Sequence, residues 1–522
     1  MRKSILIALL LLIGWGAKAQ LKIAVKSPID KVANAEQAIY HLYVDTVNEE
    51  KLAEDAIRGM LEKLDPHSSY STPKEVKAMK EPLEGSFEGI GVQFNMLEDT
   101  LVVIQPVFNG PSEKVGIVAG DRIIMVNDTA IAGVKMSRED IMRRLRGKKG
   151  TKVKLGILRR GVAEPLTFIV TRAKIPVKTV DAAYMIRPSV GYVRIGSFGA
   201  TTYAEFMESV RKLQGEGMRT LLIDLQENGG GYLQSAVDIA GEILQDGDLI
   251  VYTKGRRFPR QTYHAKGYGL LQNVRVITLI NEFSASAAEI LAGAIQDQDR
   301  GLVVGRRSFG KGLVQRPIEF EDGSMMRLTV AHYYTPAGRC IQKPYKKGDL
   351  KDYEMELERR LKHGELTSPD SIHFADSLKY HTLREGRVVY GGGGIMPDVF
   401  VPLDTTHYTK FHRQLMIKSI IINASLKYID GNRKQLKKTY PSFERFDADY
   451  EIPQQLVDDI LAEGERQKVK PANEDELKRT IPYLKNQLKA FVARDLWDMS
   501  EYFRVANRFS DIVTKALEMV KD

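Results

Sequence analysis

The hydrophobic positions of this chain change period three times, and each change marks a new architecture. Leu52, Ala56, Ile57, Met60, Leu61 and Leu64 fall on one face of a helix. Leu64-Asp65-Pro66-His67-Ser68 ends it, because the residue before a proline disfavours the α region. Residues 20–84 therefore read as a helical packing or dimer arm. Over residues 85–175 the period shortens. Gly89-Ile90-Gly91-Val92 enters a strand, Leu101 to Ile104 is a second, Gly120 to Asp128 is a third ending in a turn, and Val153 to Leu158 alternates again. Ser137 with Asp140 three residues on predicts a capped helix through Ile141 and Leu145. From residue 176 strands alternate with helices, which predicts a layered α/β domain. Val190 to Ile195 and Thr220 to Leu225 are strands, Thr202 and Glu205 form an expected capping box, and Ala236, Ile239, Ala240 and Ile243 share a helix face. A hairpin is expected around Asp322-Gly323. Residues 343–386 are charged and weakly periodic, and read as a solvent-facing insertion. The chain returns through Val388 to Tyr390 and Ile395 to Val399. Residues 404–522 are helical by pattern, with Asn473 and Glu476 as a cap.

The stretch with chemical content runs from Asn273 to Gln315. The β-branched run Val274, Val276, Ile277, Leu279, Ile280 predicts a buried strand, and Ala287, Ile290, Leu291, Ala294 and Ile295 predict a helix. Ser286 then sits where strand turns sharply into helix, among small neighbours that leave its hydroxyl approachable. Leu302-Val303-Val304 is a further strand, and beyond it Lys311 lies between two glycines. Serine is a poor nucleophile until a base removes its proton. Lysine can do so only when neutral, which near pH 7–8 requires a drop of about three pKa units, worth about 4 kcal/mol. Burial supplies such a drop, and Phe309, Leu313 and Val314 flank Lys311. A carboxylate beside it would oppose it. Gln315 could orient the amine through its amide oxygen without adding charge. The oxyanion donors would be the N–H of Ala287 and one from Gly230 or Gly231. Ser284 is expected to be a hydrogen-bonding neighbour.

Composition sets the surroundings. Of 522 residues, 43% are hydrophobic and 28% charged, which suits several folded domains. Arg2 and Lys3, the apolar run from Ile5 to Ile13, and Ala17-Lys18-Ala19 read as a signal peptide over residues 1–19, against the alternative of an uncleaved anchor. Export to the periplasm or cell envelope is expected. Removal of the leader lowers the formal charge from +10 to +7, mild for this length and no argument for nucleic acid. One cysteine, Cys340, makes neither a disulfide nor a cysteine metal site. No metal or cofactor is expected. Gly305 to Lys311 nearly spells a phosphate loop, but Gly312 stands where Ser or Thr must bind magnesium, so nucleotide binding is not expected. No Gly-x-Ser-x-Gly marks a Ser-His-Asp site. His332 reads as packing and His67 as a turn cap.

Two resemblances follow. Short strands with one capped helix and a Gly89-Ile90-Gly91-Val92 entry resemble a PDZ domain over 85–175, whose glycine turn would offer backbone N–H groups to a peptide's terminal carboxylate. Ser284 to Glu289, Lys311 and Gln315, the element Asp224 to Gly231, and Gly394-Ile395 with Pro397-Asp398 resemble the carboxyl-terminal processing (tail-specific) peptidases. Lys311 follows Ser286 by 25 residues and Gln315 follows Lys311 by four, as in that family's Ser/Lys/Gln site. Gln226 stands where arginine is usual, and Ala288 where a second serine often sits. The resemblance implies a multidomain α+β chain: N-terminal helical arm, PDZ domain, crotonase/ClpP-like α/β protease core over 176–403, and a helical C-terminal extension. It further implies cleavage near the C-terminus of unfolded or tagged proteins, and leaves room for a homo-oligomer or an envelope adaptor protein. The rival of another class is a catalytically silent PDZ scaffold that only binds peptide tails.

Overall fold

The computed structural model describes residues 25–404 and 406–520, so the expected signal peptide over 1–19 lies outside the described residues. A six-stranded sheet forms the centre. Its order is Val180–Arg187, Val190–Ile195, Thr220–Asp224, Arg275–Ile280, Gly301–Gly305 and Val399–Phe400. The first pair is antiparallel and the rest are parallel. Parallel strands need crossovers, and the helices Thr202–Gly215, Leu233–Ile243 and Ala287–Asp297 supply them. Both faces are covered, which is why the inner strands are buried almost without alternation, whereas the antiparallel edge strand Val180–Arg187 alternates. Val276 and Ile280 pack into the cluster containing the crossover helices, whereas Ile277 and Leu279 pack with Ile512, Val513 and Ala516 of the helix Asp511–Met519. The helical C-terminal region thus closes the second face of the central sheet with its last helix, and keeps a separate core around Leu415, Phe446, Leu484 and Leu488.

A second sheet carries the strand that follows Lys311. Leu313–Glu319 pairs with Met325–Tyr334 as the expected hairpin, and Met325–Tyr334 also pairs with Ser69–Ser71 of the N-terminal arm. The arm is otherwise helical, over Pro28–Leu42, Glu49–Glu62 and Pro73–Leu83. The 85–175 region is a β-rich unit with its own core around Ile90, Leu101, Ile123, Ile141 and Leu155. Its helix Arg138–Leu145 is capped as expected, the Ser137 Oγ accepting from the Asp140 N–H at 3.1 Å. A ribbon of Ser86–Gly89 with Ala173–Pro176 joins it to the rest. Asp430 of the C-terminal region grips it by an ion pair to Arg122 (2.7 Å) and by its carbonyl to Arg160 (2.9 Å).

One expectation fails and another is incomplete. Thr202 and Glu205 are not a capping box. The helix is capped at Thr201, which puts Glu205 one position too far along. Its carboxylate instead accepts from the N–H groups of Thr179 (2.7 Å) and Val180 (2.9 Å). The 343–386 segment faces solvent over most of its length, as expected, but has an inner face as well. Lys343, Tyr353, Arg360 and Leu366 are buried, because its charges pair among themselves and with the loop beneath. The Asn473 cap does form, Oδ1 accepting from the Glu476 N–H at 2.8 Å.

Candidate active site

Ser286 ends the turn between the strand Arg275–Ile280 and the helix Ala287–Asp297, at φ 57° and ψ −114°. A non-glycine residue there costs about 1–3 kcal/mol and persists only when its surroundings impose it. They do. Ser284 Oγ accepts from the Asn281 N–H (2.9 Å) and donates to the Leu225 carbonyl (2.7 Å), the supporting role expected of it. The Ala285 N–H donates to the Asn228 carbonyl at 2.8 Å. Gly230 lies against the turn. A methyl group there would fall 2.7 Å from the Ser286 Cβ and 3.0 Å from the Ala287 nitrogen.

The glycine turn refines the oxyanion assignment. The Gly230 N–H is already committed to Asn228 Oδ1 at 2.8 Å. Among the described residues the N–H groups of Ala287 and Gly231 have no such partner. Of the two expected glycines, Gly231 therefore has the donor free. Gly231 itself is held by the Phe198 backbone, which accepts from the Tyr232 N–H at 2.7 Å.

Glu289 joins the serine turn to the lysine loop, and sequence reasoning gave it no role. It is wholly buried. Its Oε2 accepts from the N–H of Ser286 and the N–H of Lys311, each at 2.8 Å. The two nitrogens are therefore within twice that distance of each other. Its Oε1 accepts from Ser308 Oγ (2.5 Å) and the Gly310 N–H (2.7 Å). Burial pushes the carboxyl up from its usual value, and these four donors pull it back. Burial also holds Lys311 below the ordinary lysine value, as expected. The positive charge of Arg327 acts the same way and Glu289 opposes both. Arg327, another residue the sequence did not flag, is fixed by donating to Ser69 Oγ at 3.0 Å.

The structure brings the main chains of Ser286 and Lys311 together, but no hydrogen bond joins the hydroxyl to the amine. Lysine's flexible four-carbon stem can span such a gap. Gln315 does not bond the amine either. Its amide nitrogen donates to the Leu313 carbonyl (3.1 Å) and to Thr329 Oγ1 (3.3 Å), which leaves the amide oxygen as the end available to Lys311. His67 does not cap its turn. Asp65 does, accepting from the N–H groups of His67 (2.9 Å) and Ser68 (3.0 Å). The His67 ring meets the Tyr353 hydroxyl at 2.9 Å, and burial with the nearby Lys311 charge lowers its pKa to about 4.

The 343–386 segment forms the outer wall of the lysine loop. The Lys343 N–H donates to the Gly310 carbonyl (2.9 Å), and Gln342 Oε1 accepts from the Gly312 N–H (2.9 Å). Arg360 donates to the carbonyls of Arg307 (2.7 Å) and Ser308 (3.2 Å). Arg360→Ala strands those two carbonyls, while Glu356 and Glu365 keep Arg307, and Glu356 also keeps Lys343. We expect it to destabilise the fold by about 2–4 kcal/mol in chemical denaturation.

In the β-rich unit the carbonyls of Ile90 and Gly91 are both taken, by the N–H groups of Ser112 (3.1 Å) and Val107 (2.9 Å). Planar trans peptides put the N–H groups of Gly91 and Val92 on the opposite side. Gly91 holds φ +71° with its missing Cβ direction 2.9 Å from Ile175, so only glycine fits.

Comparison with known proteins covers most of the chain. Residues 189–353 match peptidase family S41, 89–170 a PDZ domain, 16–74 the activating protease CtpB N-terminal domain, and 411–498 a family of unknown function. The carboxy-terminal processing protease CtpB of Bacillus subtilis (strain 168) is 37% identical over 323 residues, which is 60% of this chain and 66% of that protein. The carboxy-terminal-processing protease of Bartonella bacilliformis is 36% identical over 305 residues, 58% of this chain and 69% of that protein. The carboxy-terminal processing protease CtpA of Bacillus subtilis (strain 168) is 33% identical over 332 residues, 63% and 70% of the two chains. The chain thus spans about two thirds of the length of these relatives.

Proposed function

The chain belongs to the PDZ-containing carboxy-terminal processing proteases of peptidase family S41, and from that premise we propose that it is an exported serine endopeptidase cutting proteins near their C-termini. Ser286 attacks the scissile carbonyl while Lys311, neutral, takes the hydroxyl proton. The N–H groups of Ala287 and Gly231 hold the oxyanion. The lysine then returns the proton to the departing amine, and water, activated by the same amine, releases the acyl group. Gln315 keeps the amine aimed. The observation that carries this reading is the single Glu289 oxygen that accepts from both the Ser286 and the Lys311 N–H groups. It supports a nucleophile and a base held at one point by the fold.

The PDZ unit captures the free C-terminus of an unfolded or tagged substrate, its Gly91 and Val92 N–H groups receiving the carboxylate. Amidating the C-terminus of a good peptide substrate removes that charge. A charged hydrogen bond contributes about 1.5–3 kcal/mol, so kcat/KM is expected to fall at least about tenfold. The measurement is steady-state turnover of the free-acid and amidated peptides, with product termini read by mass spectrometry. Equal turnover, or cuts spread evenly along the chain, would refute carboxylate capture.

A further inference from the structure

We propose that Glu289 is a positioning residue for the reaction: its ionised carboxylate is the joint that sets the distance between nucleophile and general base. The proposal rests on the Ser286/Lys311 reading and deepens it. A glutamate three residues into a helix ordinarily returns to the N-cap N–H alone and stays near solvent. Glu289 does make that bond, to Ser286, yet it is wholly buried and makes three more. All three reach the loop that carries Lys311, through Ser308 Oγ and the N–H groups of Gly310 and Lys311. Burying a carboxylate is costly unless every lone pair is met. Here two donors meet each oxygen, a demand that only the ionised form satisfies on both sides. Serine turn and lysine loop therefore cannot separate without leaving a buried charge short of partners. Ser308 also accepts from the Ile395 N–H at 2.6 Å, so the joint extends to the returning segment at Gly394-Ile395.

The charge has a second consequence. Lys311 is faced by Glu289 from the helix, by Arg327 from the hairpin and by His67 from the arm, with Lys343, Tyr353 and Asp65 around these. His67, with its pKa lowered to about 4, is neutral through the working range. Glu289 is then the anion that raises the amine toward its protonated form, against burial and Arg327.

Glu289→Gln and Glu289→Asp test the joint. Glutamine has one oxygen for four donors, and whichever way its amide turns its NH2 confronts at least one backbone N–H, that of Gly310 or those of Ser286 and Lys311. We expect kcat to fall about a hundredfold with KM little changed, since misplacement of reacting groups by about 1 Å has that effect. The acid limb of the pH–rate profile should move to lower pH in the residual activity, because the anion that holds the proton on Lys311 is gone. Aspartate keeps the charge but is shorter, so kcat should fall with the limb at its wild-type position. Should Glu289→Gln not fold, Glu289→Asp carries the test. Wild-type kcat in either variant overturns the proposal, and so does a Glu289→Gln loss with an unmoved limb. The proteolytic reading stands or falls separately, on Ser286→Ala.

Discussion

Ser286→Ala is expected to lower kcat by at least about a thousandfold, and Lys311→Ala by about a hundred- to ten-thousandfold, with both proteins folded. The asymmetry follows from the roles proposed for them. Without Ser286 there is no covalent intermediate, whereas without Lys311 the hydroxyl remains and only its proton acceptor is lost. Neither truncation should destabilise the fold much. Ser286 carries backbone strain that alanine inherits unchanged. Lys311 is held by its main chain, through the Glu289 bond that alanine also makes. The measurement is digestion of a tagged, unfolded protein at saturating substrate. A scaffold that only binds peptide tails would show no turnover in the wild type to lose.

Gly230→Ala is expected to be nearly as damaging, for a steric reason. Gly230 sits at φ +96°, and an added Cβ would lie 2.7 Å from the Ser286 Cβ and 2.8 Å from the Ala285 carbonyl oxygen. Those neighbours are backbone or branch directly from it, so relief requires the nucleophile turn itself to shift. A displacement near 1 Å at the nucleophile costs about a hundredfold in rate, and the positive φ adds about 1–2 kcal/mol of strain. Gly229 is the control. Nothing lies within 4 Å of its missing Cβ, and Gly229→Ala should unfold at the wild-type denaturant concentration. Activity retained in Gly230→Ala would mean that this glycine does not shape the serine turn.

Much of this was legible along the chain because burial on both faces leaves an unambiguous mark. Thr220 to Leu225 and Val274 to Ile280 are mostly apolar and do not alternate, which in a chain of alternating strands and helices points to a covered parallel sheet. The turn at Ser286 followed from the change of period on either side of it. What the chain hid was set by partners distant in sequence. Thr202 with Glu205 and Ser286 with Glu289 share one spacing, yet only the second returns its carboxylate to the N-cap backbone, because the first helix starts one residue out of register. The spacing at Ser286 was the signal that could have found Glu289. Gln315 is turned by Thr329 across the hairpin, and the Gly230 N–H by the Asn228 side chain, neither of which a periodicity reports. The charged run 343–386 faces solvent as expected, yet its buried inner face over the lysine loop was hidden for a different reason. Composition counts charges but not their pairing, and Lys343, Glu356, Arg360 and Glu365 neutralise one another over the lysine loop.

The central claim is that Ser286 alone among the serines of this site is made nucleophilic, and that Lys311 makes it so. Its most direct test is covalent capture: treat the full-length protein with a fluorophosphonate that reacts only with activated serines, and locate the adduct by peptide mass spectrometry. The account predicts a single adduct on Ser286 in the wild type and its loss in Lys311→Ala. An adduct on Ser284 or Ser308, or undiminished labelling of Ser286 without Lys311, would contradict it.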